Sequence, residues 1–434
     1  MTTRHLALDL MTRVEGEGAF DITLDGDRVE HAQLRIFEPP RYFEALLRGR
    51  SALETPDITA RICGICPVAY QTSACNAVET AFGVTLDPMV AALRRLLYCG
   101  EWISSHALHI YLLNAPDFLG YPDAITMAAE YRAEVERGLT LKKAGRELME
   151  LLGGRSVHPI NVRVGGFYRV PSRADLEPIA EQLRSALDAA LATVEWVAGF
   201  DFPDVHLEHD LLAGHHLDHY PIETGDIATT GGSSFGPDHF TDHVVESQVP
   251  YSTALQARLD GRCYLTGPLA RYALNHGQLS GQADAAARSA GLAPPLRNPF
   301  RSIIIRAVEV TYALEEALRI IDGYRPPRHP FTAVTPRAGI GHGVSEAPRG
   351  LLYHGYEFGA DGTVRSARIV APTSQNQGAM EHALATVVTG NRDVDDAGLR
   401  QRHDDAQSRL REHASRRERD KRRARQYAGA QKEP

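Results

Sequence analysis

Pro88-Met89-Val90-Ala91-Ala92-Leu93-Arg94-Arg95-Leu96-Leu97-Tyr98-Cys99-Gly100-Glu101-Trp102-Ile103-Ser104-Ser105-His106-Ala107-Leu108-His109-Ile110-Tyr111-Leu112-Leu113 is the stretch that decides the fold. Its apolar positions cover too much of the circumference for a surface helix, so it reads as a central core helix. Three further helices flank it along the chain. Ala124–Leu152 is amphipathic and stops at Gly153-Gly154. A helix begins at Ser172, with Asp175 completing a capping box, and runs to about Val197. Asn298–Asp322 is a buried-looking helix ended by Gly323 and Pro326-Pro327.

Strand signals lie toward the two ends. Residues 19–37 hold two alternating runs around Asp25-Gly26, a hairpin turn pair. Residues 353–371 repeat the arrangement around Asp361-Gly362, and the two hairpins could share one small sheet. The expected fold class is mainly α with a small β region: a long-helix bundle core decorated by hairpins. The expected organisation is an N-terminal hairpin region over 1–60, then a helical core over 61–330 with an irregular, Gly-, Pro-, His- and Asp-rich excursion at about 201–250. A second hairpin and loop region follows over 331–397, and a basic polar tail over 398–434.

Composition bounds the function. The 434 residues are 43% hydrophobic and 24% charged, which excludes a disordered chain, a collagen and a small disulfide scaffold. No apolar run reaches the roughly 18 residues of a membrane span. No apolar signal core precedes the first strand-like stretch, so a cytoplasmic location is expected. Between Arg400 and Pro434 stand 12 basic and 6 acidic residues, a charge of +6, so the rest of the chain carries −14. An acidic body argues against nucleic acid as a partner. Five cysteines, at 63, 66, 75, 99 and 263, suggest thiols or metal ligands rather than a disulfide framework.

The sharpest chemical feature is Arg61-Ile62-Cys63-Gly64-Ile65-Cys66-Pro67. Two thiolates three positions apart can point at one soft metal, and the proline places the pair at a helix start, where the dipole favours thiolate. By spacing alone a metal site, a redox pair and plain packing remain open. Cys75, Cys99 and Cys263, the last in helical-looking sequence, read as buried small hydrophobes. Arg13-Val14-Glu15-Gly16-Glu17-Gly18 sets carboxylates on a glycine turn, suited to proton carriage or to plain solvent exposure. Ala347-Pro348-Arg349-Gly350 offers a rigid planar donor, and Ala371-Pro372-Thr373-Ser374-Gln375-Asn376 reads as a polar loop. His206, His209, His215, His216 and His219 form a histidine-rich stretch with zinc-compatible spacings, more simply read as a surface loop. His106 and His109 read as core histidines, either of which could relay protons.

Taken in order, these pieces resemble the large (alpha) subunit of nickel–iron hydrogenases, nearest the soluble NAD(P)-linked multimeric group. The resemblance rests on Arg13–Gly18, Phe37–Arg50, Asp57–Gln71 around the cysteine pair, His106–Phe118, Glu346–Gly350 and Val370–Gln377, and covers about residues 5–390. It implies a nickel–iron centre whose iron carries CO and cyanide. Cys63 is then a terminal nickel thiolate and Cys66 a bridge to iron. Glu15 matches the proton-transfer glutamate, Arg349 the guanidinium over the open metal position, and Asp117 the carboxylate that holds it. Pro348 and Thr373 line the cyanide pocket, while Glu44 and the Ile369 carbonyl ligate magnesium. The implied reaction is heterolytic H2 cleavage or formation, which needs a Lewis-acid metal and a base within reach. The implied partners are a small iron–sulfur subunit, together with flavin- or NAD(P)-binding and iron–sulfur electron-transfer subunits.

The chain departs from the family at one place. The family pattern ends in a second pair, Asp-Pro-Cys-x-x-Cys-x-x-His, whereas here no cysteine follows Cys263 and the resemblance stops near Asp396. A reading-frame change near residue 400, divergence away from nickel chemistry, and ligands from another chain or from His403 or His413 are the three explanations. The rivals to the enzyme reading are a non-catalytic, hydrogenase-like structural subunit of a redox complex and a zinc-binding module.

Overall fold

The structure is a computed structural model that describes residues 3–8, 18–26, 28–37 and 42–390. Glu15, His403, His413 and the tail expected over 398–434 lie outside the described residues.

β1 (Thr3–Leu8), β2 (Gly18–Asp25) and β3 (Arg28–Ile36) form an antiparallel sheet. The short helices α1 (Phe43–Leu47) and α2 (Thr55–Thr59) lead to α3 (Pro67–Phe82) and α4 (Pro88–Leu108). After α4 the helix widens into a π-helical stretch, His109–Asn114, and continues as α5 (Ala115–Phe118). α6 (Ala124–Met127) and α7 (Arg132–Gly153) come next, then the small β4 (Val162–Arg163) and β5 (Gly166–Phe167) pair, and α8 (Arg173–Ala198). A mixed region holds β6 (Asp210–His215), β7 (Asp226–Thr229), β8 (Ser234–Phe235), α9 (Phe240–His243), β9 (Val244–Gln248), β10 (Leu255–Leu259) and β11 (Tyr264–Leu265). α10 (Pro268–Asn275), α11 (Gly281–Ser289) and α12 (Ser302–Asp322) return to the bundle. β12 (Gly339–Ala347), β13 (Gly350–Phe358) and β14 (Val364–Val370) make the last sheet, and α13 (Pro372–Gly390) closes the described chain.

The bundle is the expected one. α4 is buried over most of its length and packs against α7 and α12, while α8 covers α12 and α7. Trp102, Tyr98, Leu93 and Leu96 have no exposed surface. The Ser172–Asp175 capping box is present in both directions at the start of α8.

Four expectations change. The two hairpins occupy separate sheets, β1-β2-β3 and β12-β13-β14. α13 lies between them, with Glu381 accepting the Leu34 N–H at 2.9 Å. The amphipathic pattern from Ala124 is two helices, because Asp123 caps a single turn and Tyr131 packs on Tyr121 and Trp196 before α7 begins. The 201–250 stretch holds the strands β6 to β9, of which β6, β7 and β8 sit with β11 in a four-stranded sheet. Cys263 precedes β11 instead of lying on a helix, in the single-residue step between the Leu259–Arg262 bridge and that strand.

One contact couples sheet to bundle. Gly339, Gly341 and Gly343 alternate along β12 and rest on the α3 backbone. A Cβ at 341 would lie 1.9 Å from the Ala77 carbonyl, and one at 343 would lie 2.4 Å from that of Ser73. Glycine at every second strand position therefore meets small helix residues at every fourth. Gly341→Ala is expected to lower the unfolding free energy by about 3 kcal/mol, read from the urea midpoint, because neither backbone can yield a side chain's width.

Candidate metal centre

Three backbone features converge on one region: the start of α3, the tip of the β12–β13 hairpin and the first turn of α13. Cys63 is extended, and Cys66 is the N-cap of α3, followed by Pro67 at the first helical position. Their Cα atoms are 5.5 Å apart, the structure pairs the sulfurs, and the Cys66 N–H donates to Cys63 Sγ at 3.1 Å. Both residues are partly buried against the main core. Cys75 and Cys99 are fully buried, and burial pushes the Cys75 thiol up to about 12, so both behave as small hydrophobes.

The hairpin tip is two residues long, since Ala347 pairs with Gly350 across Pro348-Arg349. Pro348 is buried and Arg349 half-buried. Gly350 takes φ 143° and Gly267 φ 120°, and a Cβ on Gly267 would lie 2.7 Å from the Arg349 carbonyl, so glycine is required where the tip meets the segment before α10. Arg271 Nη1 donates to the Ala347 carbonyl at 3.0 Å. Arg271 Nη2 and Arg306 Nη1 donate to that of Pro348 at 3.2 and 3.0 Å. Arg349 Nε meets His109 Nε2 at 3.2 Å. Burial, with Arg306 and Arg349 nearby, holds His109 well below its usual range, so the ring is neutral and accepts. Asp117 sits on α5, directly after the π-helical stretch that carries His109.

Beneath the tip lies a buried charge network. Glu309 accepts from Arg271 Nε at 2.7 Å and Nη2 at 2.8 Å, and from the Tyr220 hydroxyl at 3.0 Å. Glu346 accepts from Arg271 Nη1 at 2.8 Å and from the Gly214 N–H at 2.6 Å. Burial pushes Glu309 up, but Arg271 and His106 outweigh it and bring the carboxyl down to about 2. Burial wins at Glu346, which rises to about 7. His106 Nε2 lies 2.9 Å from Glu309 and Nδ1 lies 3.3 Å from Arg306 Nη1. Burial brings His106 down to about 4, so the neutral ring faces the Glu309 carboxylate on one side and accepts from Arg306 on the other.

α13 supplies the third feature. The stretch read as a polar loop is its first turn, because Pro372 takes the first helical position with no N–H to satisfy. Thr373 is exposed on that turn. Thr266 joins the turn to the hairpin: its N–H donates to Asn376 Oδ1 at 2.8 Å, and its hydroxyl accepts the Leu351 N–H at 2.9 Å. On the outer edge of β14, Glu44 Oε1 accepts the Ile369 N–H at 2.7 Å. A strand residue's N–H and C=O point to the same side, so the Ile369 carbonyl faces the Glu44 edge. Glu246, nearly buried, is pushed up by burial with Glu44 adding to the rise, and Arg368 lies 3.1 Å from it.

The histidines of 206–219 do not converge. His206 meets Asp204, His209 meets His382, His215 meets Asn275, and His216 stacks on His219. Sequence reasoning did not single out Glu101, Arg271, Arg306 or Glu309. The available signal was a charged residue inside an otherwise apolar helix, as at Glu101, and the Arg306-x-x-Glu309 pair in a helix read as buried.

Residues 41–147 match the family described as nickel-dependent hydrogenase. The alpha subunit of sulfhydrogenase 1 from Pyrococcus furiosus is 34% identical over 381 residues, covering 87% of this chain and 89% of the relative. The chain belongs to the family of nickel-dependent hydrogenase large subunits. The alpha subunit of sulfhydrogenase 2 from the same organism is 34% identical over 388 residues, covering 87% of this chain and 90% of that protein. A crystal structure of an NAD+-reducing [NiFe]-hydrogenase in its H2-reduced state superposes with a TM-score of 0.78 at 27% identity, over 89% and 92% of the two chains. The nickel–iron–selenium hydrogenase of D. vulgaris Hildenborough shares the fold, with a TM-score of 0.71. No helix among the described residues is long and apolar enough to cross a membrane.

Hydrogenase large subunits of this family bind a nickel–iron centre. The fit of this chain to that centre is partial. Two sulfurs converge on a turn at a helix start, with soft-metal donor chemistry and a half-buried guanidinium on the neighbouring hairpin. A second thiolate pair has no counterpart after Cys263 within the 434 residues.

Proposed function

We propose that this chain is the hydrogen-activating large subunit of a cytoplasmic, multi-subunit nickel–iron hydrogenase, coupled to a small iron–sulfur subunit, and through it to an NAD(P)-reducing flavin and iron–sulfur module. The observation that carries the reading is the Cys63–Cys66 turn, tied through Ala69, Ser73 and Ser345 to the hairpin bearing Arg349. Cys63 and Cys66 would hold the centre, which supplies a Lewis acid that polarises H2. CO and cyanide on the iron would lie against Pro348 and Thr373. A magnesium ion would take the Glu44 carboxylate and the Ile369 carbonyl, hard oxygen donors at one strand edge.

This chain's own residues manage the proton. Arg349 presents a cationic fork steadied through Nε by the neutral His109 and through the hairpin backbone by Arg271 and Arg306. It acts as the electrostatic partner or base, Asp117 holds its charge, and Glu15 takes the proton outward. Arg349→Lys removes the planar fork and keeps the charge. In the assembled enzyme it should lower H2-dependent dye reduction and D2/H+ exchange by about 10²–10³-fold, with nickel content unchanged. Wild-type rates in that variant would refute the role.

The missing second cysteine pair favours one alternative, a hydrogenase-like structural subunit without nickel. Stoichiometric nickel in the wild-type complex rejects it, and a complex that assembles fully without nickel establishes it.

A further inference from the structure

We propose that Glu101 is a positioning residue for the Cys63–Cys66 turn: from α4 it accepts the free N–H groups at the start of α3, taking over the capping role of the N-cap side chain and leaving the Cys66 sulfur to face Cys63. Each donor at this helix end has a destination. Pro67 has no N–H. The Cys66 N–H goes to Cys63 Sγ at 3.1 Å. The Val68 N–H goes to Glu101 Oε2 at 2.7 Å, and that of Ala69 to Glu101 Oε1 at 3.1 Å. The Cys66 side chain caps nothing.

An N-cap position normally carries Ser, Thr, Asp or Asn, whose oxygen bends back onto the second or third N–H of the helix. A cysteine there faces competing demands, because a sulfur turned back onto the helix is turned away from its pair. Glu101 removes the competition. It has no exposed surface, and those two N–H groups are its hydrogen-bond partners among the described residues. A lone carboxyl in the middle of an apolar helix is costly unless such donors meet it, and burial does push this one up to about 8.

The inference deepens the reading of the cysteine turn as a ligand pair, but its test needs no nickel. The full-length chain is equilibrated metal-free in mixtures of oxidised and reduced dithiothreitol. The oxidised reagent takes the two electrons and two protons released as the thiols join, and alkylation with mass spectrometry gives the Cys63–Cys66 disulfide fraction. Glu101→Met keeps the volume and removes both acceptors. It should shift the equilibrium at least about tenfold toward the dithiol, since two buried N–H groups then compete for the sulfur. Glu101→Gln keeps one acceptor and sets an NH2 donor against the other N–H, so it should shift the equilibrium the same way by a smaller factor, about threefold or more. Leu183→Ala, a buried site on α8, lowers stability without touching the turn and should leave the equilibrium unmoved. A folded Met variant with the wild-type equilibrium overturns the proposal. If the Met variant does not fold, the Gln variant decides: a shift of about threefold or more toward the dithiol upholds the proposal, and the wild-type equilibrium overturns it. Nickel content of the assembled enzyme is a separate measurement, so failure of the hydrogenase reading and failure of this one are told apart.

Discussion

Replacing Cys66 with serine is expected to strip nickel from the assembled enzyme, with affinity falling by at least about a hundredfold. Loss of an outer partner of a metal ligand already costs about 10–100-fold, and here the ligand itself is lost. A hydroxyl is a harder and far less acidic donor than a thiol, so it neither ionises nor matches a soft metal. The local fold should survive, because the Cys66 side chain caps nothing and serine is a good N-cap. Cys99→Ser, at a fully buried position on α4, is the control and should retain nickel. Metal analysis of the purified complex reads both variants. A Cys66→Ser complex with the wild-type nickel content would remove this residue from the centre.

Exchanging Arg271 for methionine is expected to cost about 3–5 kcal/mol of unfolding free energy, because it leaves Glu309 buried without its main cation. Arg271 is fully buried, stacks over Trp102 at 4.6 Å, and also holds the Ala347 and Pro348 carbonyls. The loss therefore reaches the hairpin as well as the network. Removing Glu309 together with Arg271, as Arg271→Met with Glu309→Leu, should recover a large part of the cost, since a well-packed apolar pair can stand in for a buried ion pair. Urea unfolding of the two variants beside wild type checks both statements. A single variant within about 1 kcal/mol of wild type would show that the network carries little of the stability.

The bundle was legible because helix periodicity is local. The apolar breadth of Pro88–Leu113, the Ser172–Asp175 box and the glycine stops each announce an element within one or two turns. The hairpins were legible for the same reason, at Asp25-Gly26 and Asp361-Gly362. Their placement in separate sheets was not, since strand partnership between the chain ends depends on α13 lying between them. The strands within 201–250 were hidden by their shortness, with β7 four residues long and β8 two. Of the site, the thiol pair and Arg349 carried a visible pattern. The supporting shell did not: Glu101, Arg271, Arg306 and Glu309 are isolated charges in apolar surroundings, and their meaning appears only once three helices and a hairpin tip face one another.

The bare strand lying flush on a helix has a mechanical result. With no side chains between them to act as bearings, β12 cannot slide along α3, so the sulfur pair at the start of the helix and the guanidinium just past the end of the strand ride side by side on a single stiff bracket. Thermal swaying of the outer sheets would carry both chemical groups together and leave the gap between them nearly constant. Outlying hairpins are thereby free to drift in sequence and shape without detuning the spacing on which hydrogen chemistry depends.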